Sequence, residues 1–536
     1  MAFRGDSRNL VHNDDNDDGG HHHVYVYAKG SGHQPLPTGD YDHDDDADDA
    51  IELTGIASGK YKDSDDDDGG DDCDCDDDNH DTFQDELPHG TVATTTILSR
   101  DTTTAIGSAR TPWYLTAIIL LSEVMGTGIL SLPYAAKTLG WASTLMAVPL
   151  FAAIASYSGF LLSKVHQEDS KLHSFAEAST KLLGVTFGKV TKVCMLLNWG
   201  ATAIYYLIAT ADGIGDIVGP GSLQCAYQRA AVAALLLVLP SQCRDFYAIS
   251  KYLSAPSTCA IVIMVFLIIG NLLMSQQSSS SGNTNNNSFG ATTTVLPQEG
   301  TTPLDYLEAL SAFVFANQGH AIFLELMAEM RDAYQFPKAC ILAYSIMCVM
   351  YALTVVVAYG IMGVNTEEFL PDILPPGAIQ TTVGCLVTFH ITVSYVISCQ
   401  PLHMWIHETV FPSTFQEESV KGKIHWFVLT CGYLAFGFFV GNLIPFFADV
   451  QALIGSLFGA PTIFGWPVAF YFMIQRRKAA SWHETIQHMG WGHVAICLFF
   501  LLVCTPVFVI LGTTGALSSI VRDAEEGAKP FQCDGA

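Results

Sequence analysis

Two long apolar stretches of this 536-residue sequence are interrupted by glycine and polar side chains. In the first stretch, Gly126, Thr127, Gly128 and Ile129 follow a single carboxyl group, Glu123. A helix that breaks within a membrane leaves backbone amide and carbonyl groups unpaired, so a break is tolerated only where protein or a wet cavity satisfies them. Free amides, free carbonyls and one acidic side chain form a set that can hold a polar ligand or carry a proton.

The second interruption contains Phe315, Asn317, Gln318, Gly319 and His320. This interruption falls in the sixth apolar stretch, and the other falls in the first. The two interruptions therefore occupy corresponding positions in two halves of five apolar stretches each. This correspondence predicts an inverted-repeat transporter whose broken helices meet at a central site. The alternative is that the glycines only let neighbouring helices approach closely.

Membrane-spanning helices are the elements that must position these residues. About 10% of residues 113–536 are charged, whereas soluble domains average about 25%. This composition excludes a soluble enzyme, and the lack of a basic face excludes a nucleic-acid binder. The apolar runs predict eleven spans: 113–137, 141–163, 190–211, 224–243, 248–274, 304–327, 338–363, 377–410, 423–446, 449–474 and 491–515.

The predicted fold is therefore an all-α polytopic membrane protein with eleven transmembrane helices. Its transporter domain is expected to cover residues 113–520, and a short C-terminal tail follows at 521–536. Within the domain we expect a first repeat at 113–274, a second repeat at 304–474 and an eleventh helix at 491–515.

Residues 1–112 form an acidic tail that holds 28 of the 53 acidic residues and only 7 of the 25 basic ones. Aspartate runs broken by glycine cannot bury enough apolar surface to offset the entropy of ordering, so we predict that the tail is disordered. Its charge suggests a basic protein partner. The histidines at 21–23 and the cysteines at 73 and 75 fit no zinc spacing, and we expect neither a metal nor a cofactor.

The distribution of Lys and Arg predicts the orientation. With a cytoplasmic N-terminus, the inward loops hold 14 of these residues and the outward segments hold three, which fits the positive-inside rule. The loop at 275–303 has no base and carries a glycosylation sequon at Asn286. The C-terminus would then be lumenal or extracellular, where Cys225 and Cys533 could be oxidised. Both the plasma membrane and a vacuolar or lysosomal membrane remain open.

The segment from Glu123 to Trp141 resembles the first-helix signature of the amino acid/auxin permease family. Phe315 to Ala339 resembles the sixth helix of that family and the turn that follows it. Weaker likenesses extend the resemblance over about 113–515. The resemblance implies the LeuT fold, a 5+5 inverted repeat of ten helices plus one. It also implies transport of amino acids, driven by protons or, in some branches, by sodium.

For the site, the resemblance implies an amino acid cradle between the two breaks. The amides of Gly126 to Ile129 would hold the carboxylate, and carbonyls near Ser122 to Met125 and Phe315 to Asn317 would hold the ammonium group. Gly319 lies in the second break. The side chains expected to select the amino acid are Thr127, Asn198, Tyr205, Asn317 and Gln318.

Coupling to an ion gradient needs either a titratable group or an oxygen cage. Glu123 is the predicted proton carrier, and His320 is a second titratable candidate. Sodium would instead need first-helix carbonyls together with eighth-helix hydroxyls. The hydroxyls available there are Thr388, Thr392 and Ser394. Sodium-coupled branches of the family tend to place Asn where this chain has Ser122, which favours protons.

The leading prediction is a secondary active amino acid transporter that works by alternating access around its first and sixth helices, in contact with lipid. One alternative is a sensor that binds an amino acid and signals through the acidic tail, and another is a sodium-coupled transporter. An enzyme is not expected. His403 and His407 alone are too few ligands for a membrane metalloenzyme, and we find no phosphate loop, nucleophile elbow or HExxH motif.

Overall fold

The computed structural model describes residues 111–219, 221–244, 246–281, 292–415, 419–444 and 446–526, together with Phe531 and Cys533. These residues belong to one compact unit, Glu86–Ala536. Apart from Thr111 and Pro112, the predicted acidic tail lies outside the described residues, and so does the sequon at Asn286.

The described chain is helical, as its apolar runs predict. In chain order the α-helices are α1 Trp113–Val124, α2 Gly128–Glu168, α3 Phe175–Leu183, α4 Val185–Val218, α5 Ala226–Val238, α6 Phe246–Ser281, α7 Pro303–Ala316, α8 Phe323–Glu329, α9 Phe336–Met362, α10 Ala378–Val410, α11 Val420–Leu443, α12 Phe447–Ile454, α13 Trp466–Lys478, α14 Trp482–Met489, α15 Trp491–Phe499 and α16 Thr513–Glu526. Turns of π-helix join α12 to α13 and α15 to α16.

Eight helical segments of the described chain are long and apolar enough to cross a membrane. They correspond to eight of the eleven predicted spans. The predicted first and sixth spans are broken, and the helix of the fourth ends at Val238 after 13 residues. The chain is thus an all-helical polytopic membrane protein, and the count of eleven stays a prediction.

A sharp kink at Gly140 divides α2 into two parts. The φ angle of this glycine is 70°, in the left-handed region that other residues rarely adopt. The loop before α7 lies directly against the kink, because the Trp141 N–H donates to the Thr294 carbonyl at 2.9 Å. A Cβ at position 140 would collide with the Leu296 carbonyl, so glycine permits both the turn and the loop contact.

The helices α4 and α10 pack closely along one another, and α2 packs along α9. Small residues make the first contact possible. A Cβ on Gly384 would lie 3.0 Å from the Gly213 carbonyl oxygen, so the two backbones nearly touch. Such close approach stabilises helix pairs in lipid, where burial of apolar surface alone gives little preference for a protein neighbour.

The outer faces of several helices are apolar. Leu235, Leu239 and Met274, for example, are 74%, 81% and 70% exposed. Extended apolar surface of this kind is expected where a protein faces hydrocarbon rather than water. The distribution agrees with an integral membrane protein.

A disulfide bond fastens the C-terminal end of the chain. It joins Cys225, just before α5, to Cys533, 308 residues later. Phe531 packs against Phe438 and Phe439 of α11, and its N–H donates to the Asn442 carbonyl. The end of the chain is therefore attached to both α5 and α11.

Candidate functional site

Both predicted interruptions are breaks in the structure. The first helix stops at Val124 and resumes at Gly128, and the sixth stops at Ala316 and resumes at His320. The breaks lie against each other. A Cβ on Gly128 would come within 2.7 Å of the Ala316 Cα, and a Cβ on Gly319 would collide with the Val124 side chain. Glycine is thus needed at both positions for steric reasons.

Two tyrosines of α9 satisfy carbonyl groups at the breaks. The Tyr351 hydroxyl donates to the Ala316 carbonyl at 2.6 Å and lies 3.5 Å from the Val124 carbonyl. The Tyr344 hydroxyl donates to the Asn317 carbonyl at 3.0 Å. The tyrosines are two helical turns apart on one face of α9. Because an unpaired carbonyl is costly away from water, these hydroxyls stabilise the broken form of both helices.

A cavity of about 50 Å³ lies between the breaks, with room for a few water molecules. Both breaks and α4 form most of its wall, and Ser398 of α10 and Thr462 complete it. The wall includes these predicted site residues: Glu123, Gly126, Thr127, Gly128, Asn198, Phe315, Gln318 and Gly319.

Glu123 is the acidic group in the cavity wall. Its Oε1 accepts a hydrogen bond from the Ser398 hydroxyl of α10 at 3.1 Å. Its Oε2 is buried and has no hydrogen-bond partner among the described residues. An unpaired carboxylate oxygen is costly in such surroundings, whereas a protonated carboxyl group carries no charge and can donate to a ligand. The position is chemically suited to binding and releasing a proton.

Three residues predicted to bind substrate do not belong to the described cavity wall. Ile129 is fully buried in the first turn of α2. The Tyr205 hydroxyl donates to the Gln451 Oε1 at 2.8 Å, which directs it toward α12. The Asn317 amide turns back and donates to the Phe313 carbonyl at 2.9 Å. These contacts engage the two polar side chains in bonds within the protein.

Two of the residues predicted to serve coupling lie near the breaks but not in the described cavity wall. His320 is buried, and its Nε2 lies 2.9 Å from the Ala155 carbonyl of α2. Ser122 is buried in the last turn of α1, and its hydroxyl has no partner among the described residues. Their predicted roles stay predictions.

The hydroxyls considered for sodium lie on α10, which corresponds to the eighth predicted span. The Thr392 hydroxyl donates to the Thr388 carbonyl at 2.8 Å within that helix. The Thr388 hydroxyl faces α4, since a Cβ on Gly213 would lie 2.6 Å from it. Ser394 is buried, and its hydroxyl has no partner in the described part of the chain.

The structure adds cavity residues that the sequence reasoning did not single out. They are Val124, Trp199, Thr202, Tyr206, Ala321, Ile322, Ser398 and Thr462. Helical spacing was a usable signal for two of them, because Thr202 and Tyr206 follow Asn198 at four-residue intervals on one face of α4. Ser398 has no such local signal.

A bundle of long apolar helices, with two facing breaks and a cavity between them that polar side chains help to line, is typical of a membrane transport protein. The sequence model of the family described as "Transmembrane amino acid transporter protein" matches residues 109–511. The chain belongs to this family, which confirms the resemblance to the amino acid/auxin permeases, and it is an amino acid transporter.

Individual relatives agree with this assignment. The chain is 26% identical to amino acid transporter AVT1C of Arabidopsis thaliana over 411 residues, which covers 75% of this chain and 68% of the relative. It is 22% identical to lysine histidine transporter-like 4 of the same plant, covering 78% and 90%. It is 21% identical to the N amino acid transport system protein of Neurospora crassa, covering 79% and 88%.

The fold has a counterpart among solved structures. The structure of MhsT in complex with L-phenylalanine superposes with a TM-score of 0.51 at 13% identity, covering 75% of this chain and 98% of MhsT. This similarity concerns the fold, and it agrees with the LeuT fold that the sequence resemblance implied.

Proposed function

We propose that this amino acid transporter is a secondary active, proton-coupled symporter and that Glu123 carries the coupled proton. The observation that carries the proposal is the position of that carboxyl group. It lies in the last turn of the first half-helix and lines the cavity. It also hydrogen-bonds to α10 through one oxygen and leaves the other oxygen open.

The substrate site is proposed to be the space between the breaks. The backbone at Gly126 to Ile129 is expected to bind the substrate carboxylate, with the start of α2 providing the positive end of a helix dipole. Carbonyls near the ends of α1 and α7 are expected to accept from the ammonium group. Asn198, Thr127 and Gln318 then contact the substrate side chain, while Tyr205 and Asn317 support the wall from behind.

The proposed cycle is alternating access in a 5+5 inverted repeat plus one, with eleven spans. The three spans that fall short in continuous length are the two broken helices and the fourth. The close approach of Gly128 to Ala316 supports this cycle, because it brings the two breaks together at one site.

The proposed orientation places the N-terminus in the cytoplasm and the C-terminus in the lumen or outside. Two independent features support it. The first is the excess of Lys and Arg in the inward loops. The second is the Cys225–Cys533 disulfide, because disulfide bonds persist in extracellular and lumenal compartments and are rare in the cytosol.

The placement of two of the three α10 hydroxyls considered for sodium favours protons. The Thr388 hydroxyl faces α4, and the Thr392 hydroxyl is bonded within its own helix. Ser398, in contrast, is the α10 hydroxyl that bonds to the first helix, and its acceptor is a titratable carboxyl group.

The test is uptake by purified protein in liposomes with a panel of labelled amino acids. We expect substrate to accumulate when the outside is acidic, with choline replacing sodium. Accumulation that follows a sodium gradient and ignores the pH gradient would contradict proton coupling. Saturable binding without any flux would favour the sensor.

A further inference from the structure

His390 of α10 lies at the first break. It is not among the site residues predicted from the sequence, and it is not part of the described cavity wall. Its side chain is fully buried. On one side, its Nδ1 lies 2.7 Å from the Ser257 hydroxyl of α6 and 3.2 Å from the Ser257 carbonyl. The imidazole ring therefore joins α10 to α6.

The other ring nitrogen is directed at the first break. A Cβ on Gly126 would lie 3.5 Å from the His390 Nε2. The Tyr206 hydroxyl and the Glu123 carbonyl oxygen each lie 3.7 Å from that same position. Nε2 itself has no hydrogen-bond partner among the described residues. A buried ring nitrogen without a partner requires a physical explanation.

The contacts of Nδ1 bear on the tautomer. The Ser257 hydroxyl can pair with Nδ1 in either tautomer, whereas the Ser257 carbonyl can only accept. We take the tautomer with the proton on Nδ1, because it also satisfies that carbonyl. Nε2 is then the acceptor nitrogen. Its lone pair is directed toward the segment where α1 ends and its last carbonyls leave the helix.

We propose that His390 is a second proton-binding residue of the transport cycle, at the junction of α1, α6 and α10. This rests on the proposed proton-coupled function. A proton from water on one side binds Nε2, and the new N–H donates either to the Glu123 carbonyl at the end of α1 or to the Tyr206 hydroxyl of α4. The proton returns to water when the break opens to the other side.

The groups that face His390 support a role in which its protonation depends on the conformation of the first break. From α1 the nearest groups are the Gly126 backbone and the Glu123 carbonyl, from α4 the Tyr206 hydroxyl, and from α6 Ser257. The Glu123 side chain, the nearest acid along α1, is engaged by Ser398. In the described part of the chain, no charged side chain is hydrogen-bonded to the ring, so the ring has no ion-pair partner there.

The test compares His390→Gln with His403→Gln in liposomes. Glutamine retains hydrogen-bonding capacity but cannot titrate. His403 is a matched control, because it is on the same helix, is buried and also has an Nε2 without a partner in the described residues. It packs against Trp426 and Tyr433 rather than against the break.

Exchange is measured at equal pH on both sides, from about pH 4 to about pH 7.5, because burial disfavours the charged form of an imidazole. Accumulation is measured under a pH gradient. We expect His390→Gln to exchange substrate, to lose the pH dependence of exchange, and to accumulate at least about threefold less than wild type. The Ser257→Ala variant, which keeps a titratable ring, should shift the pH profile without abolishing it.

The outcomes separate the two proposals. If wild type and His403→Gln accumulate substrate and His390→Gln matches them in ratio and pH profile, the His390 assignment is overturned alone. If His390→Gln does not fold, a normal pH profile in Ser257→Ala overturns the assignment and a shifted profile supports it. If folded wild type does not respond to the pH gradient, the proton-coupled function fails and the His390 assignment falls with it.

Discussion

The Ser398 hydroxyl donates to the Glu123 Oε1 at 3.1 Å, across 275 residues of sequence. This bond joins the end of the first half-helix to the middle of α10. It places a titratable group where one broken helix meets a continuous one, so that a change in its protonation alters a contact between two elements. Proton binding and helix movement can be linked through such a contact.

The first prediction concerns that carboxyl group. Glu123→Gln retains an acceptor for Ser398 but cannot release a proton, so we expect it to catalyse amino acid exchange and to lose accumulation driven by a pH gradient. Ser398→Ala should reduce accumulation less, because the carboxyl group remains. Uptake and exchange in liposomes measure both. Undiminished accumulation by Glu123→Gln would show that another group carries the proton.

The contact between the breaks gives a second prediction. A valine at Gly128 would overlap Ala316, and overpacking of this kind costs about 1–3 kcal/mol. We expect Gly128→Val to weaken substrate binding about tenfold or more. Gly432→Ala is the control, because a Cβ there meets nothing within 4 Å. Isothermal titration of purified protein measures the affinity, and wild-type affinity in Gly128→Val would contradict the proposed carboxylate cradle.

The Tyr351 hydroxyl supports carbonyls of both breaks. Tyr351→Phe leaves the ring but removes the donor, and an unsatisfied buried acceptor costs about 1–3 kcal/mol. We expect a lower thermal unfolding temperature and slower transport. Tyr334→Phe, at a side chain 70% exposed, should change neither. Equal unfolding temperatures for the two variants would mean that the break carbonyls do not depend on this hydroxyl.

The disulfide provides a test of orientation as well as of stability. We expect mass spectrometry of unreduced protein from cells to find the peptides of Cys225 and Cys533 linked. Cys533→Ser should lower the free energy of unfolding by about 2–4 kcal/mol. Glycosylation of Asn286 would report the same side of the membrane independently. Free thiols at both cysteines in freshly isolated protein would argue against the proposed orientation.

Thr111, at the end of the acidic tail, makes two backbone hydrogen bonds, one to the last residue of α8 and one to the segment that follows α8. The Thr111 N–H donates to the Glu329 carbonyl at 3.1 Å, and the Arg331 N–H donates to the Thr111 carbonyl at 2.9 Å. We expect deletion of residues 1–105 to leave the initial rate of transport unchanged, and deletion of 1–111 to alter it through loss of these bonds. Uptake at matched expression compares the two. A large loss in the shorter deletion would assign the tail a direct part in transport.

Much of this architecture is a local property of the sequence. Apolar runs of membrane length predict helices, and glycine with polar residues at Gly126–Gly128 and Asn317–Gly319 predicts the breaks, because each signal is contained in a few neighbouring residues. The α4 face that begins at Asn198 was also within reach, since residues four apart in a helix share a face. The resemblance to the amino acid/auxin permeases rested on the same segments.

What the sequence could not decide is which distant side chains complete the site. Tyr351, Ser398 and His390 are ordinary polar residues in apolar runs. The bonds of Tyr351 and Ser398 to the breaks span 35 and 275 residues, and His390 lies beside the first break. Tyr205 and Asn317 satisfied the local criteria equally well, yet each bonds elsewhere in the protein. Local pattern determines where a helix forms and where it stops, whereas rotation and contact between helices determine which buried polar group finds which partner.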